Sequence, residues 1–514
     1  MSNATVMDLH QTADKDGSGP RPARIFSLVA SALRSAWYGW MARSYRGYLT
    51  SLASRHAQLD ADGRAMAELA FARAKRRTPA LAQHLQGAAC FAQAPETSKA
   101  RYVLDHPMTE RCLNGMLPGP GSVIDESSGS TGRPFHWVRG PRERLESQRF
   151  VAHYCRFMFG GQGLVTLNAF SQGAWATGLS MGLAANRLGM VKNTGPEVDK
   201  LIEAMRLLGP SQRYLIAGYP PFLKRFLDEA KAQGFALGQY QLLGMVGGEG
   251  MSEGLRSYLL AGGFSAVYSG YGASDLEIGV AGETCQSVAL RQLALSHPGL
   301  RQRLFGDDPR LPMVFQYNPT AHYLEANASG ELLCTILRPS LIQPRIRYNV
   351  GDKGGVASFA QVQAALAAEG FSMERLAPEA ALLKLPFVWV HGRSDHTVSV
   401  MGANLYPEDV EQALYGEPEL AQLAQSFCLG LTEVQGDPRP LVALELSAPE
   451  QPGLADRAAR ALLKGLCHAN PDYRQAFQEN PAAMLPVVQL WGIGQGPFSQ
   501  DAGRIKQVRV LKPN

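Results

Sequence analysis

The stretch Glu126-Ser127-Ser128-Gly129-Ser130-Thr131-Gly132-Arg133-Pro134 places four hydroxyls and two glycines side by side. Glycine lets the backbone curl until successive N–H groups face one concavity, the hydroxyls add donors, and Arg133 supplies positive charge. Such a loop can hold phosphates. Taken alone, the same residues also describe a Ser/Gly-rich surface turn. The Gly-Lys-Ser/Thr ending of a P-loop nucleotide site is missing from it. A serine hydrolase is disfavoured as well, because no Gly-x-Ser-x-Gly elbow frames the serines and no partnered His/Asp pair is evident.

Further along stand Asn168-Ala169-Phe170-Ser171-Gln172-Gly173-Ala174-Trp175, Met245-Val246-Gly247-Gly248-Glu249-Gly250, Tyr271-Gly272-Ala273-Ser274-Asp275 and Arg347-Tyr348-Asn349-Val350-Gly351-Asp352. Gly392-Arg393-Ser394-Asp395-His396 follows, running on to Gly402, Pro407, Glu408, Val410 and Glu411, and Ala502-Gly503-Arg504-Ile505-Lys506-Gln507-Val508-Arg509-Val510 comes near the end. In type and order these segments resemble the adenylate-forming enzymes, the superfamily of acyl-CoA synthetases, peptide-synthetase adenylation domains and luciferases, and within it the phenylacetate-CoA ligase branch. The resemblance runs from about Ala61 to the C-terminus.

The resemblance implies a phosphate loop at Ser127, Ser128, Gly129, Ser130, Thr131 and Gly132, and an adenine site at Gly248, Glu249, Tyr271, Gly272 and Ser274. By the same likeness Asp352 accepts hydrogen bonds from the ribose hydroxyls, Arg393 meets ribose or phosphate, and Asp395 is the hinge about which a small domain turns. Asp275 stands where the family's terminal acid helps hold magnesium. It is one methylene shorter than the usual glutamate, so a water-bridged contact or help from Glu277 is an alternative. Phe170 and Trp175 fall where relatives wall the acyl pocket, although single aromatic residues are more often core packing. The catalytic cation is Lys506 if the branch's Gly-Lys-x-Val-Arg-Val pattern is overlaid, or Arg504 if the commoner Ser-Gly-Lys-Ile is. Lys506 is preferred, because a compact ammonium suits charge near a carboxylate and an α-phosphate better than a broad guanidinium does.

The elements around these segments can be read from spacing. Ala61 to Leu85 is helical in composition and periodicity, with a break at Thr78-Pro79. Val123 and Ile124, then Phe135 to Val138, read as strand, loop, strand. Beyond them, helical stretches such as Pro221 to Gln233 alternate with apolar runs such as Leu242 to Val246 and Ala266 to Tyr268, the pattern of α/β layers. A helix from Pro407 to Leu414 opens the last unit. Gly492 to Gly496 lacks the strand, helix and downstream acid of a dinucleotide site and reads as a loop.

Composition sets the outer bounds. A chain of 514 residues with 45% hydrophobic and 18% charged residues is a multidomain globular protein. Its net charge of +5 is spread thinly, which favours anionic small molecules over nucleic acid. Seven cysteines without CxxC pairs fit a reducing, cytoplasmic setting, and Cys285 lacks the company that a structural zinc site needs. The Trp/Tyr-rich segment Ile25 to Leu49 is interrupted by Arg34, Arg43 and Arg46. It is therefore no membrane span, and a helix packed on the main body is favoured over an interfacial one.

The expected architecture is α/β: a disordered tail over 1–24, a large adenylate-forming domain of layered sheets and helices over 25–394, and a small mobile α+β lid over 395–514. The implied activity uses ATP and magnesium to turn a carboxylic acid, with an aromatic acid favoured, into an acyl-adenylate. Transfer to coenzyme A follows, with a carrier-protein thiol or a nitrogen nucleophile as the alternative acceptor. The chain is expected to be a monomer or homodimer.

Overall fold

A computed structural model describes residues 21–126, 135–161, 163–172, 176–308, 310–377, 383–393, 398–400, 403–434, 437–479, 481–499 and 509–511. Contacts divide the chain into two compact units, Met1–Met158 with Tyr271–Asp307 and Val314–Val390, and Phe159–Gly270 with Asp308–Met313 and His391–Asn514. This division interleaves the chain.

The first unit begins with helices. Arg21–Met41 is already helical within the stretch expected to be a tail, and Leu59–Arg77 and Pro79–His84 are separated at Thr78, where the Thr-Pro pair breaks the pattern. The first helix packs inward through Tyr38, whose hydroxyl donates to Asp62 Oδ2 at 2.7 Å, and through Arg34, which pairs with Asp62 at 3.0 Å. Its other face leaves Ile25, Phe26, Val29, Leu33 and Trp40 exposed. Among the described residues no helix is long and apolar enough to cross a membrane.

Strands Val123–Glu126 and His136–Arg139 pair antiparallel, with Glu126 opposite His136. The Ser/Gly-rich stretch thus joins the two arms of a hairpin. A larger sheet in this unit runs in the order His322–Ala326, Glu331–Ile336, Tyr348–Ala357, Phe387–Arg393, Met313–Gln316 and Ala281–Gly282. The first three strands are antiparallel neighbours.

In the second unit the strands Phe264–Tyr271, Gln241–Gly247, Arg213–Gly218, Leu164–Asn168 and Gly189–Asn193 lie in that order, all parallel. Helices Ala176–Ala185, Val198–Leu208, Pro220–Ala232 and Glu253–Ala261 alternate with them. The inner strands are near-continuous apolar runs because helices cover both faces, so Leu215, Ile216 and Ala217 are fully buried, while the edge strand Gly189–Asn193 stays open. Beyond Val398 the chain builds a hydrophobic core of its own, from Val398 and Leu405 through Val442 and Leu462 to Met484, under a sheet of Ala424–Val434, Asp437–Leu446 and Val487–Gly492. Helix Pro407–Tyr415 starts with proline at its first turn, where the missing N–H costs nothing.

Candidate nucleotide and acyl site

In the first unit the predicted residues of the Tyr271–Asp275 and Arg347–Asp352 segments converge. Tyr271 closes the strand Phe264–Tyr271, and its hydroxyl donates to Asp352 Oδ2 at 2.8 Å from the facing strand Tyr348–Ala357. Its ring stacks on Phe315 with centroids 5.7 Å apart. Withdrawal from water, and then the Asp352 carboxylate, push the phenol well above its ordinary range, so it remains a donor and fixes the orientation of that carboxylate. Gly272 is required by space: a Cβ there would lie 2.5 Å from the Glu277 carbonyl oxygen.

The hairpin base is tied to the same segment by residues that sequence reasoning did not single out. Trp137 Nε1 donates to Asp275 Oδ1 at 2.9 Å. Arg139 reaches Asp125 Oδ2 at 2.9 Å and the Ser274 carbonyl at 2.8 Å, and also donates to the Leu276 carbonyl. The indole of Trp137 has two guanidinium groups against it, Arg345 at 4.0 Å and Arg111 at 5.3 Å from the ring, contacts worth about 0.5–2 kcal/mol each. Arg345 Nε donates in turn to the Asp275 carbonyl at 2.9 Å. One signal was available beforehand. Asp125 faces Trp137 in the hairpin register, so Arg139 is its diagonal neighbour on the same face, where opposite charges attract.

Asp275 is therefore an anchoring carboxylate. Its second oxygen stands 3.3 Å from Lys99 Nζ, and the residue is buried. Glu277, the alternative helper, is also engaged: buried between His322 and Arg338, it accepts a short hydrogen bond from each. Among the described residues no group of three or more His, Cys, Asp or Glu side chains gathers as a metal site. Both oxygens of Asp275 are thus engaged by side chains of the same unit, the indole of Trp137 and the ammonium of Lys99.

The Glu277 cluster makes stability depend on acid. Burial opposes ionisation there, but Arg338 and His322 outweigh it and hold the carboxyl well below the ordinary range. As pH falls through about 4.5, the unfolded chain takes up a proton at this position and the folded chain does not, so the pair's contribution is present above that pH and fades below it. Glu277→Gln is expected to cost about 3–5 kcal/mol at pH 7, because Arg338 and His322 lose their buried charge partner. Urea unfolding of both proteins from pH 7 to pH 3 should show that difference shrinking as the acid limb is reached.

In the second unit Phe170, Gly248 and Glu249 surround Tyr219. Phe170 is 4% exposed and meets the Tyr219 ring edge-on with centroids 5.1 Å apart. Gly248 has φ +86°, and a Cβ there would come within 2.6 Å of the same ring. Burial, and then Glu249, raise the Tyr219 phenol above its usual range. Arg509 from the last described segment lies 3.7 Å from Glu249 Oε2 and 4.0 Å from Glu411 Oε1, with its guanidinium over the Phe427 ring at 4.3 Å. Glu411 accepts the Ser252 N–H at 2.8 Å, although burial pushes its pKa up. The turn after strand Gln241–Gly247, the helix Pro407–Tyr415 and the end of the chain thus meet at one arginine.

Arg393 ends the strand Phe387–Arg393, after Gly392 with φ +97°. Ser127, Ser128, Gly129, Ser130, Thr131, Gly132, Trp175, Asp395, Arg504 and Lys506 lie outside the described residues.

No family model matches the chain. Its sequence is 26% identical over 345 residues to the phenylacetate-coenzyme A ligase of Aromatoleum evansii, covering 66% of this chain and 68% of that protein. In three dimensions it is similar to a 2-hydroxyisobutyryl-CoA ligase in the postadenylation state with a bound acyl-AMP, at TM-score 0.64 and 14% identity over 89% of this chain and 90% of that one. An acyl acid amido synthetase gives TM-score 0.57 and 12% identity over 92% and 95%. The chain shares the fold of this CoA ligase and this amido synthetase.

Proposed function

We propose, on the premise that the chain is an adenylate-forming ligase by fold and by its kinship to a phenylacetate-coenzyme A ligase, that it joins a carboxylic acid to coenzyme A at the expense of ATP. A carboxylate oxygen attacks the α-phosphorus, the bond to the departing pyrophosphate breaks, and an acyl-adenylate results. A thiolate then attacks the acyl carbon and AMP leaves. The observation that carries this reading is the Tyr271 hydroxyl on Asp352 Oδ2, since it unites the two segments that the resemblance assigns to adenine and to ribose.

In this reading Asp352 binds ribose hydroxyls, with its carboxylate already oriented by Tyr271. Gly248 and Glu249 belong to the turn beside the base, and Phe170 and Trp175 to the acyl pocket. The Ser127–Gly132 loop offers backbone N–H groups to the phosphates, and Lys506 offsets charge as the new P–O bond forms. Asp395 serves as the hinge between the half-reactions. Magnesium enters with the triphosphate, and Asp275, held by Trp137 and Lys99, braces the base of the hairpin. An aromatic acid is the favoured substrate and the cytoplasm the favoured setting.

The test is exchange of labelled pyrophosphate into ATP across a panel of carboxylic acids, followed by AMP release on adding coenzyme A, a phosphopantetheinyl carrier or an amine in turn. Exchange with an arylacetic or aryl acid and AMP release with coenzyme A are expected. Absence of exchange with every acid would remove the reading, while release with an amine alone would move the second step to amide formation.

A further inference from the structure

Helices Arg21–Met41, Tyr45–Ser54 and Pro141–Phe159 and the residues Leu337–Pro339 border a cavity of about 680 Å³ within the first unit. That is the size range of small-molecule sites, about 300–1,000 Å³. Neither Tyr271 nor Asp352 lines it, and much of its wall comes from the N-terminal helix, upstream of the stretch that resembles the family. The wall has two characters. Trp40, Tyr48 and Phe150 present aromatic surface, while Arg43, Arg142, Arg149 and Arg338 present charge against a single acid, Glu146.

Arg338 is the informative member, because it is 9% exposed and yet incompletely satisfied. One terminal nitrogen is taken by Glu277. Its Nε and Nη1 make no hydrogen bond, Nε standing 3.8 Å from Glu146 Oε2. Glu146 itself accepts the Ser340 hydroxyl. Both nitrogens are closed to water, so Arg338 brings charge to the wall rather than an open donor, beside Arg43, Arg142 and Arg149 and among neutral residues such as Ser51 and Asn318.

We propose that this cavity binds an amphipathic anion, a carboxylate or phosphate head on an apolar body, with the head at Arg338 and Arg149 and the body against Trp40, Tyr48 and Phe150. It is a second ligand site, separate from the nucleotide and acyl residues described above. Decanoate and decyl phosphate carry the shared chemistry and distinguish the two heads, while acetate and decanol supply head and tail alone.

Calorimetric titration of the full-length protein without nucleotide is the experiment. Micromolar binding of decanoate or decyl phosphate is expected, with acetate and decanol at least 30-fold weaker. Gly39 lines the cavity, and a Cβ on it meets nothing within 4 Å, so Gly39→Phe can fill the space without displacing a neighbour and should weaken binding at least 10-fold. Arg149→Met, which removes charge and keeps bulk, should do the same, and it carries the test if the first variant melts early. Decanol binding as well as decanoate would overturn the proposal. So would unchanged affinity in the folded variants, which would put the amphiphile elsewhere, the acyl pocket included, and so would failure of both amphiphiles to bind, which would leave the cavity to water. None of these readings depends on ligase turnover, so they stand apart from the success or failure of the proposed reaction.

Discussion

Lys506→Ala is expected to lower carboxylate-dependent pyrophosphate exchange by about 100- to 1,000-fold, the scale on which loss of one group stabilising developing charge is felt, roughly 2.7–4 kcal/mol. The cation's partners in the proposed reaction are a substrate carboxylate and an α-phosphate, both negative, approaching each other. An ammonium between them offsets repulsion that grows toward the transition state, so kcat should fall more than the KM for ATP rises. Arg504→Ala is the matched control, with a change of less than about fivefold expected. Arg509, three residues beyond Lys506 in the sequence, is drawn between Glu249 and Glu411, beside the turn expected to accept adenine. If Arg504→Ala abolishes exchange and Lys506→Ala does not, the two cations exchange roles and the overlay on the phenylacetate-CoA ligase pattern is wrong.

What the sequence made legible is what local chemistry decides. Pro79 ended one helix and began another, and the apolar residues on either side of the Ser/Gly stretch marked two strands that do pair. The apolar runs of the central region became buried parallel strands. Among the candidate residues Tyr271 and Asp352 were named for neighbouring roles and stand in hydrogen-bond contact.

Side-chain partners were less legible, because they come from distant parts of the chain. Trp137 looked like an ordinary strand residue, and only the fold brings Arg111, Arg345 and Asp275 to its ring and nitrogen. Asp275 was read from its residue type and place in a motif. Neither can show whether a carboxylate is open or already claimed by an indole and an ammonium. Tyr219 carried no motif at all, yet it is the ring that explains both the glycine at 248 and the packing of Phe170. The N-terminal helix was expected to pack on the body and does so through Tyr38 and Arg34; that a cavity lies beside it could not be read from periodicity, which reports one face of a helix and not the shape of the space it covers.

Asp352→Ala is expected to raise the KM for ATP by about 10- to 150-fold, matching the roughly 1.5–3 kcal/mol carried by hydrogen bonds to a charged group. The variant should also lose discrimination. If the carboxylate accepts from the ribose hydroxyls, the native protein prefers ATP over 2′-deoxy-ATP, and the alanine variant treats the two nearly alike. Tyr271→Phe removes the 2.8 Å hydrogen bond that orients the carboxylate and leaves the ring stacked on Phe315, so a smaller rise of about 3- to 10-fold is expected, from one neutral donor's worth of about 1 kcal/mol. Because the hydroxyl acts through Asp352, the double variant should be no worse than Asp352→Ala alone, a non-additivity that a cycle of the four proteins measures directly. Additive losses would mean that the tyrosine contacts the nucleotide on its own account. Retention of the ATP preference over 2′-deoxy-ATP in Asp352→Ala would take the ribose away from this carboxylate, and with it the observation on which the nucleotide site is built.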